Sequence, residues 1–444
     1  MARRPDEEEW AVKRFPRGSE WRKWDLHVHP PGTKLNDGYK ENGEELDWGR
    51  FCKLIHESDV QAVGIADYFS LDRFFSIKAE YEKRYPDSEK VLFPNLELRL
   101  NEAVNRAGES VHFHVILRPD LTREKATEVL QRLDTLSTDA ADRRKPCTEL
   151  TGREEFEKAT VSREAIKEAI EGAFGSKVER SENVILIAAV NADGIRAGSG
   201  SKRRMELSDE IDKFTDAFFG SPANTSYFLN PDRLEAEGRK VAPKPVFAGC
   251  DAHSFRELED WLGKECTDGN AKHVTWIKAD LTFEGLQQTL IEPSERVRIQ
   301  LSKPDKKEPY KVVSRIVFPD SDKFPKEVLF NPGLNSIIGP RSSGKSALLA
   351  YVAHSVDPDY TEGQQRESGG EVGPGAGLTW DDVADMEYAV EWVADDAETG
   401  RVIYVPQNAL FSISRHTDKI TEMIRPTAFR CSAESRPALP GQTQ

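Results

Sequence analysis

Short apolar runs alternate with polar stretches of helical period through the first 301 residues. The runs cover residues 24–29, 62–67, 91–97, 111–117, 184–191, 216–219, 245–251 and 273–277. Between them, residues 48–58, 71–84, 123–136 and 162–175 carry apolar side chains at a spacing of three to four. The first set predicts strands covered on both faces, the second the amphipathic helices that cover them. Seven or eight such units within 301 residues predict an α/β fold, a closed barrel of parallel strands.

The pattern changes beyond residue 301. Residues 302–311, rich in Lys, Pro and Asp, read as a linker. Strands are then predicted at 312–318 and 327–330, and a strand at 335–339 enters a glycine-bearing loop. A helix is predicted at 347–354, and further strands at 388–393 and 402–405. Residues 363–377, rich in Gly, Glu and Gln, predict a flexible insertion. The organisation expected is a charged lead-in at 1–23, a barrel at 24–301, a partial nucleotide-binding domain at 312–424 and a disordered tail at 425–444.

Composition narrows the class. Of 444 residues, 38% are hydrophobic and 31% charged, as in a soluble globular protein. The longest apolar run, 184–190, is too short to cross a bilayer, and residues 1–9 have no apolar leader, so a cytoplasmic protein without membrane partners is expected. Five cysteines at 52, 147, 250, 266 and 431 show no CxxC spacing and read as free thiols. A net charge of −15 argues against tight passive binding of nucleic acid, although a local basic cleft is compatible with it. The basic loops at 143–145 and 202–204 read first as solvated charge.

Candidate chemistry collects at the ends of the apolar runs. His27 and His29 lie two apart on one strand, so both imidazoles face one side. Asp67 and Glu97 end the next two runs, His112 and His114 share a face of the fourth, and Asp251 ends the seventh with His253 following. Only nine histidines occur in the chain, and five belong to this set. Parallel barrels gather functional groups at the C-terminal ends of their strands. Mixed imidazole and carboxylate donors suit divalent Zn, Mn or Fe. Two such ions roughly 3.5–4 Å apart clamp the attacking and leaving oxygens in phosphate-ester hydrolysis, with Glu97 the candidate bridge.

The series HVH at 27–29, GIAD at 64–67, LEL at 96–98, HVIL at 114–117 and CDAH at 250–253 resembles the PHP (polymerase and histidinol phosphatase) domain. The resemblance covers most of residues 24–300. It implies a distorted (β/α)7 barrel and a two- or three-metal phosphoesterase site. His27, His29, Asp67, Glu97, His114, Asp251 and His253 match the ligand pattern it implies, with His112 a close competitor of His114. Two positions depart from it: Tyr68 stands where a histidine is usual, and Asn191 where a cysteine or histidine is. An incomplete metal set is therefore compatible with the sequence, and with it a weakened or lost activity.

Residues Gly339, Pro340, Arg341, Ser342, Ser343, Gly344, Lys345 and Ser346 fit G-x-x-x-x-G-K-[ST] between a predicted strand and a predicted helix. Backbone N–H groups of such a loop cradle the phosphates of ATP, Lys345 reaches their oxygens and the Ser346 hydroxyl holds Mg²⁺. The segment resembles the head of ABC/SMC/RecF-type ATPases, in which Gln407 is either a γ-phosphate sensor or an ordinary loop residue. No apolar run ending in Asp-Glu follows Ser346, so ATP binding without efficient hydrolysis is expected. As a whole the chain resembles the front of the TrlF family of PHP–ATPase proteins. That resemblance implies a hydrolase with barrel cations (Mn²⁺ or Zn²⁺, with Fe²⁺ a further candidate) and a homo-oligomer assembled through the ATPase head. By analogy it implies a nuclease on DNA or RNA, gated by ATP, in DNA processing or phage defence. A small-molecule phosphatase and a catalytically weakened platform for the ATPase are the alternatives.

Overall fold

The computed structural model describes residues 16–40, 46–104, 110–191, 194–195, 205–234, 240–266, 272–369, 380–394 and 402–406. Gln407, Cys431, the basic residues 202–204 and the stretch 425–444 lie outside the described residues. The chain divides into two compact units, one of Gly18–Asp305 and one of Met1–Arg17 with Lys306–Gln444.

The first unit is built on one sheet. Its strands are β1 (Trp21–Val28), β2 (Val60–Tyr68), β3 (Val91–Ala103), β4 (Ser110–Leu117), β7 (Val184–Ala189), β8 (Ala217–Phe219), β9 (Val246–Phe247), β10 (Thr275–Lys278) and β11 (Val297–Ile299), and a separate hairpin pairs β5 (Asp134–Thr138) with β6 (Arg144–Pro146). The sheet order is β11-β10-β1-β2-β3-β4-β7-β8-β9. Beyond β9 the chain turns back along β1: the Asp251 N–H donates to His27 O (2.8 Å) and the His29 N–H to Ala252 O (3.1 Å). The barrel is thereby nearly closed. β10 and β11 continue antiparallel from the start of β1.

The expected all-parallel sheet is corrected at β4, which runs antiparallel to both β3 and β7. Six residues separate Ala103 from Ser110, and a parallel crossover needs about a dozen or more. Functional groups on β4 therefore sit toward its N-terminal half, level with the C-terminal halves of its neighbours. β3 also continues past Glu97, which lies in mid-strand rather than at a strand end.

Helices cover the sheet as their periodicity requires. Trp48–Glu57 buries Phe51, Cys52 and Ile55, and Asp47 caps it by accepting from the Arg50 N–H. Arg163–Phe174 buries Ala165, Ile166, Ala169 and Ile170 behind a Ser162 cap. β2 is buried along nearly its whole length, as a strand covered on both faces must be. Gly64 on that strand has no room for a side chain, since an added Cβ would lie 2.1 Å from Leu26 O. Gly64→Ala is expected to cost about 1–3 kcal/mol by overpacking, read as a lower urea midpoint at an unchanged slope.

In the second unit β12 (Val313–Val317) pairs antiparallel with β13 (Glu327–Leu329) on one side and β14 (Ala389–Trp392) on the other. The helix Lys345–His354 packs Ala347, Leu348 and Tyr351 against Ile316 and Phe318. Three expectations are corrected here. Residues 335–339 join no strand, and Leu334 and Ile338 are 90% and 91% exposed. Residues 402–405 join none either, although Tyr404 is buried and accepts a bond from Gln365 Nε2 (3.2 Å). An apolar run makes a strand only where a neighbour supplies ladder hydrogen bonds, and none does at either place among the described residues. The helix Pro358–Gly369 takes in the first part of the stretch expected to be flexible. Its Glu362–Arg366 pair (2.7 Å) and buried Thr361 and Gln365 outweigh Gly363. Residues 370–379 lie outside the described residues.

Candidate metal centre

Alternate residues of β1 send Asp25 and His27 to one face of the strand, and His29 follows just beyond its end. Glu97 reaches them from β3. Its Oε2 lies 3.1 Å from His27 Nε2 and 3.0 Å from His29 Nε2, and its Oε1 lies 2.9 Å from His112 Nδ1. Asp251 approaches from the segment that closes the barrel, with Oδ1 at 3.2 Å from His27 Nε2 and 3.5 Å from His29 Nε2. Its φ of 52° is left-handed, an uncommon conformation for a non-glycine residue, held here by the bond from its N–H to His27 O. His253 stacks on His29 (ring centroids 4.0 Å apart), and the Glu257 carboxylate accepts from its N–H (2.7 Å).

Two groups of closely spaced donors result: His27, His29 and Glu97, then His29, Asp251 and His253. The remaining expected ligands stand beside them. Asp67 belongs to neither group. Its Oδ1 accepts from Thr33 Oγ1 (3.1 Å), Lys34 N (2.9 Å) and Tyr68 N (2.9 Å). Its Oδ2 is buried without a hydrogen-bond partner. His114 is buried at the edge of the His27 ring, and its Nδ1 meets Asn95 Oδ1 at 3.1 Å. Because Asn95 Nδ2 donates to Leu26 O (2.8 Å), its oxygen faces His114, which must then carry the proton on Nδ1 and leave Nε2 as an acceptor. Of the two β4 histidines it is His112 that touches Glu97.

The electrostatics favour a cation. Burial opposes the charge on Glu97, but the charge on His29 and the hydrogen bonds from His112 and His27 hold its carboxyl well below the usual range. Asp251 is likewise held down, against burial, by His27 and His29. Burial lowers His253 to about 4 and takes His114 well below the ordinary histidine value, which leaves neutral rings able to ligate. At His29 burial is outweighed by Glu97 and Asp251, and the pKa rises to about 10. The two carboxylates thus call for positive charge at that nitrogen, whether a proton or a metal ion. Imidazole and carboxylate donors this close together, with an orphaned buried oxygen on Asp67, fit divalent Zn, Mn or Fe.

The two departures are also placed. The Tyr68 hydroxyl lies 3.3 Å from His253 Nε2, and burial raises its pKa above the ordinary value, so it stays a neutral phenol. Asn191 is exposed and donates to Asn224 Oδ1 (3.0 Å). Sequence reasoning missed Asp25, which accepts from the Cys250 N–H (3.0 Å) and which burial raises to about 6. Its place two residues before His27 was the available signal. It also missed Glu257, legible as the acid of a Ser254-x-x-Glu257 cap. Asn95 and Phe219, which packs on both His27 and His114, carried no such signal.

In the second unit residues 339–346 lead into the helix Lys345–His354. Gly344 is left-handed (φ 83°) at the N-cap of Lys345–His354, Ser342 is left-handed as well (φ 64°), and Ser346 lies in the first helical turn. Lys345 Nζ folds back to donate to Gly339 O (2.9 Å) and Pro340 O (2.6 Å). Pro340 and Arg341 are exposed.

No protein-family model matches the sequence. No curated protein matches it either. Among solved structures, one neighbour is a two-domain protein containing a predicted PHP-like metal-dependent phosphoesterase from Bacteroides vulgatus. The alignment has a TM-score of 0.34 and 10% identity, and covers 71% of this chain and 85% of that one. Another is a provisionally assigned metal-dependent phosphoesterase from Bifidobacterium adolescentis, with a TM-score of 0.29 and 15% identity over 62% of this chain and 97% of that one.

Proposed function

We propose that the barrel is a metal-dependent phosphoesterase. The observation that carries this is the convergence of His27 and His29 on both Glu97 and Asp251, every histidine–carboxylate contact being 3.5 Å or less, from three separate parts of the chain. These four and His253 would hold the cations, with Asp67 and His114 adjoining. Bound divalent cations polarise a phosphoryl oxygen and stabilise the charge that develops on it. The protein's own groups prepare that centre. Asn95 fixes the tautomer of His114, Phe219 shields His27 and His114 on one side, and neutral Tyr68 offers a hydroxyl beside His253.

The substrate we favour is a nucleic-acid phosphodiester, with ATP at the loop 339–346 gating its cleavage. Support for nucleotide binding comes from the left-handed Gly344 and from Lys345, whose ammonium is held over the loop carbonyls at the helix start. Assays with Mn²⁺ on single-stranded and duplex DNA, RNA and an aryl phosphate test both statements. Cleavage of polymer supports the nuclease reading. Turnover of aryl phosphate alone replaces it with a small-molecule phosphatase, and inactivity of metal-loaded protein rejects the phosphoesterase itself. Lys345→Met is expected to weaken binding of a fluorescent ATP analogue by roughly 10- to 100-fold, measured by anisotropy. Unchanged affinity would remove the loop from the scheme. Among the described residues no helix is long and apolar enough to cross a membrane.

A further inference from the structure

Arg99 lies two residues past Glu97 on β3, so the two side chains leave the same face of the strand. Its partner across the ladder is His112, which contacts Glu97. Regular pairing of β3 with β4 breaks just beyond Arg99, the kind of irregularity that re-aims side chains beside a site. The guanidinium carbon sits 5.6 Å from the centre of the Tyr68 ring, and the Tyr68 hydroxyl is 3.3 Å from His253. One side chain, His112 on one side and Tyr68 on the other, thus separates Arg99 from each donor group.

The remaining contacts of Arg99 hold it without neutralising it. Nη1 donates to the carbonyls of Glu157 (2.8 Å) and Phe156 (3.5 Å), near the end of the helix Gly152–Lys158. No carboxylate pairs with it among the described residues, although acids outnumber bases 77 to 62 in the chain. Arg118, Arg163 and Arg233, by contrast, each bind a carboxylate within 3 Å. A guanidinium carries five donors in a planar fork, and the carbonyls engage only Nη1. Nε and Nη2 remain for an anion, and a fork is the geometry that suits phosphate.

We propose that Arg99 binds the phosphoryl group of the substrate, orienting it toward the cations that His27, His29, Glu97, Asp251 and His253 would hold. The proposal rests on the phosphoesterase reading for its consequence in turnover, but the anion site it describes can be tested without turnover. The experiment compares metal-loaded wild-type protein with Arg99→Ala and Arg99→Met. The methionine variant keeps a packed stem over Tyr68 and drops the charge. Inorganic phosphate is titrated by calorimetry, KM and kcat are measured on an aryl phosphate, and metal content and melting temperature are recorded for each variant. Both variants are expected to keep their metal and to lose phosphate affinity roughly tenfold or more, with KM rising more than kcat falls. Wild-type phosphate affinity in a folded, metal-loaded Arg99→Met protein overturns the proposal. If wild-type protein hydrolyses no phosphate ester, the functional reading fails, while the loss or retention of phosphate binding still decides the role of Arg99.

Discussion

Glu97→Gln is expected to leave the barrel folded and to empty its metal centre. Glu97 contacts His27 and His29 through one oxygen and His112 through the other, so both of its oxygens face candidate ligands. An amide of the same shape keeps the packing but offers one neutral oxygen in place of two charged ones. Loss of groups that merely orient metal ligands already costs about 10- to 100-fold in affinity, and loss of a central ligand is expected to exceed about 100-fold. Elemental analysis after dialysis should find the variant depleted relative to wild type, and hydrolysis of an aryl phosphate should fall in parallel. Wild-type metal content in the variant would remove Glu97 from the centre.

Chelation is expected to lower the melting temperature of the barrel substantially. The carboxylates of Glu97 and Asp251 sit among imidazoles that burial and mutual repulsion keep from all being protonated. A cation bound to that arrangement stabilises the folded state alone. With free metal about 1,000-fold above its dissociation constant the gain is about 4 kcal/mol. For a unit of this size that corresponds to roughly 8 °C or more. Calorimetry with and without EDTA checks it, and re-addition of Mn²⁺ or Zn²⁺ should restore the transition. Because the chain has two compact units, the barrel transition must be followed by itself, for instance on Gly64→Ala, which should shift that transition and no other. A barrel transition indifferent to EDTA in protein shown to contain metal would mean that the ions lie elsewhere.

Much of the candidate metal centre is legible in the sequence. His27, His29, Glu97, Asp251 and His253 were each named from their place at or beyond an apolar run, and the structure brings all five into two overlapping donor groups. Asp67 was named for the same reason, yet Thr33 and the Lys34 and Tyr68 amides draw its carboxylate aside. Those partners come from the loop after β1 as well as from its own strand, and strand periodicity says nothing of them. The choice between His112 and His114 stayed open because both share one face of β4. The second unit was less legible. The G-x-x-x-x-G-K-S pattern at 339–346 is visible as glycine and lysine spacing, but the flanking runs at 335–339 and 402–405 form no ladder among the described residues.

Side-chain periodicity and capping residues act over a few neighbours, so the sequence by itself determined where most strands and helices of the first unit lie and which face each presents. Asp47, Ser162 and Ser254 mark helix starts in this local way. The direction of β4, the closure of residues 250–252 onto β1, and the meeting of Glu97 with three histidines were decided only in three dimensions. They depend on which backbone groups remain to be paired once the sheet is assembled, and that pairing joins residues as far apart as Asp25 and Cys250.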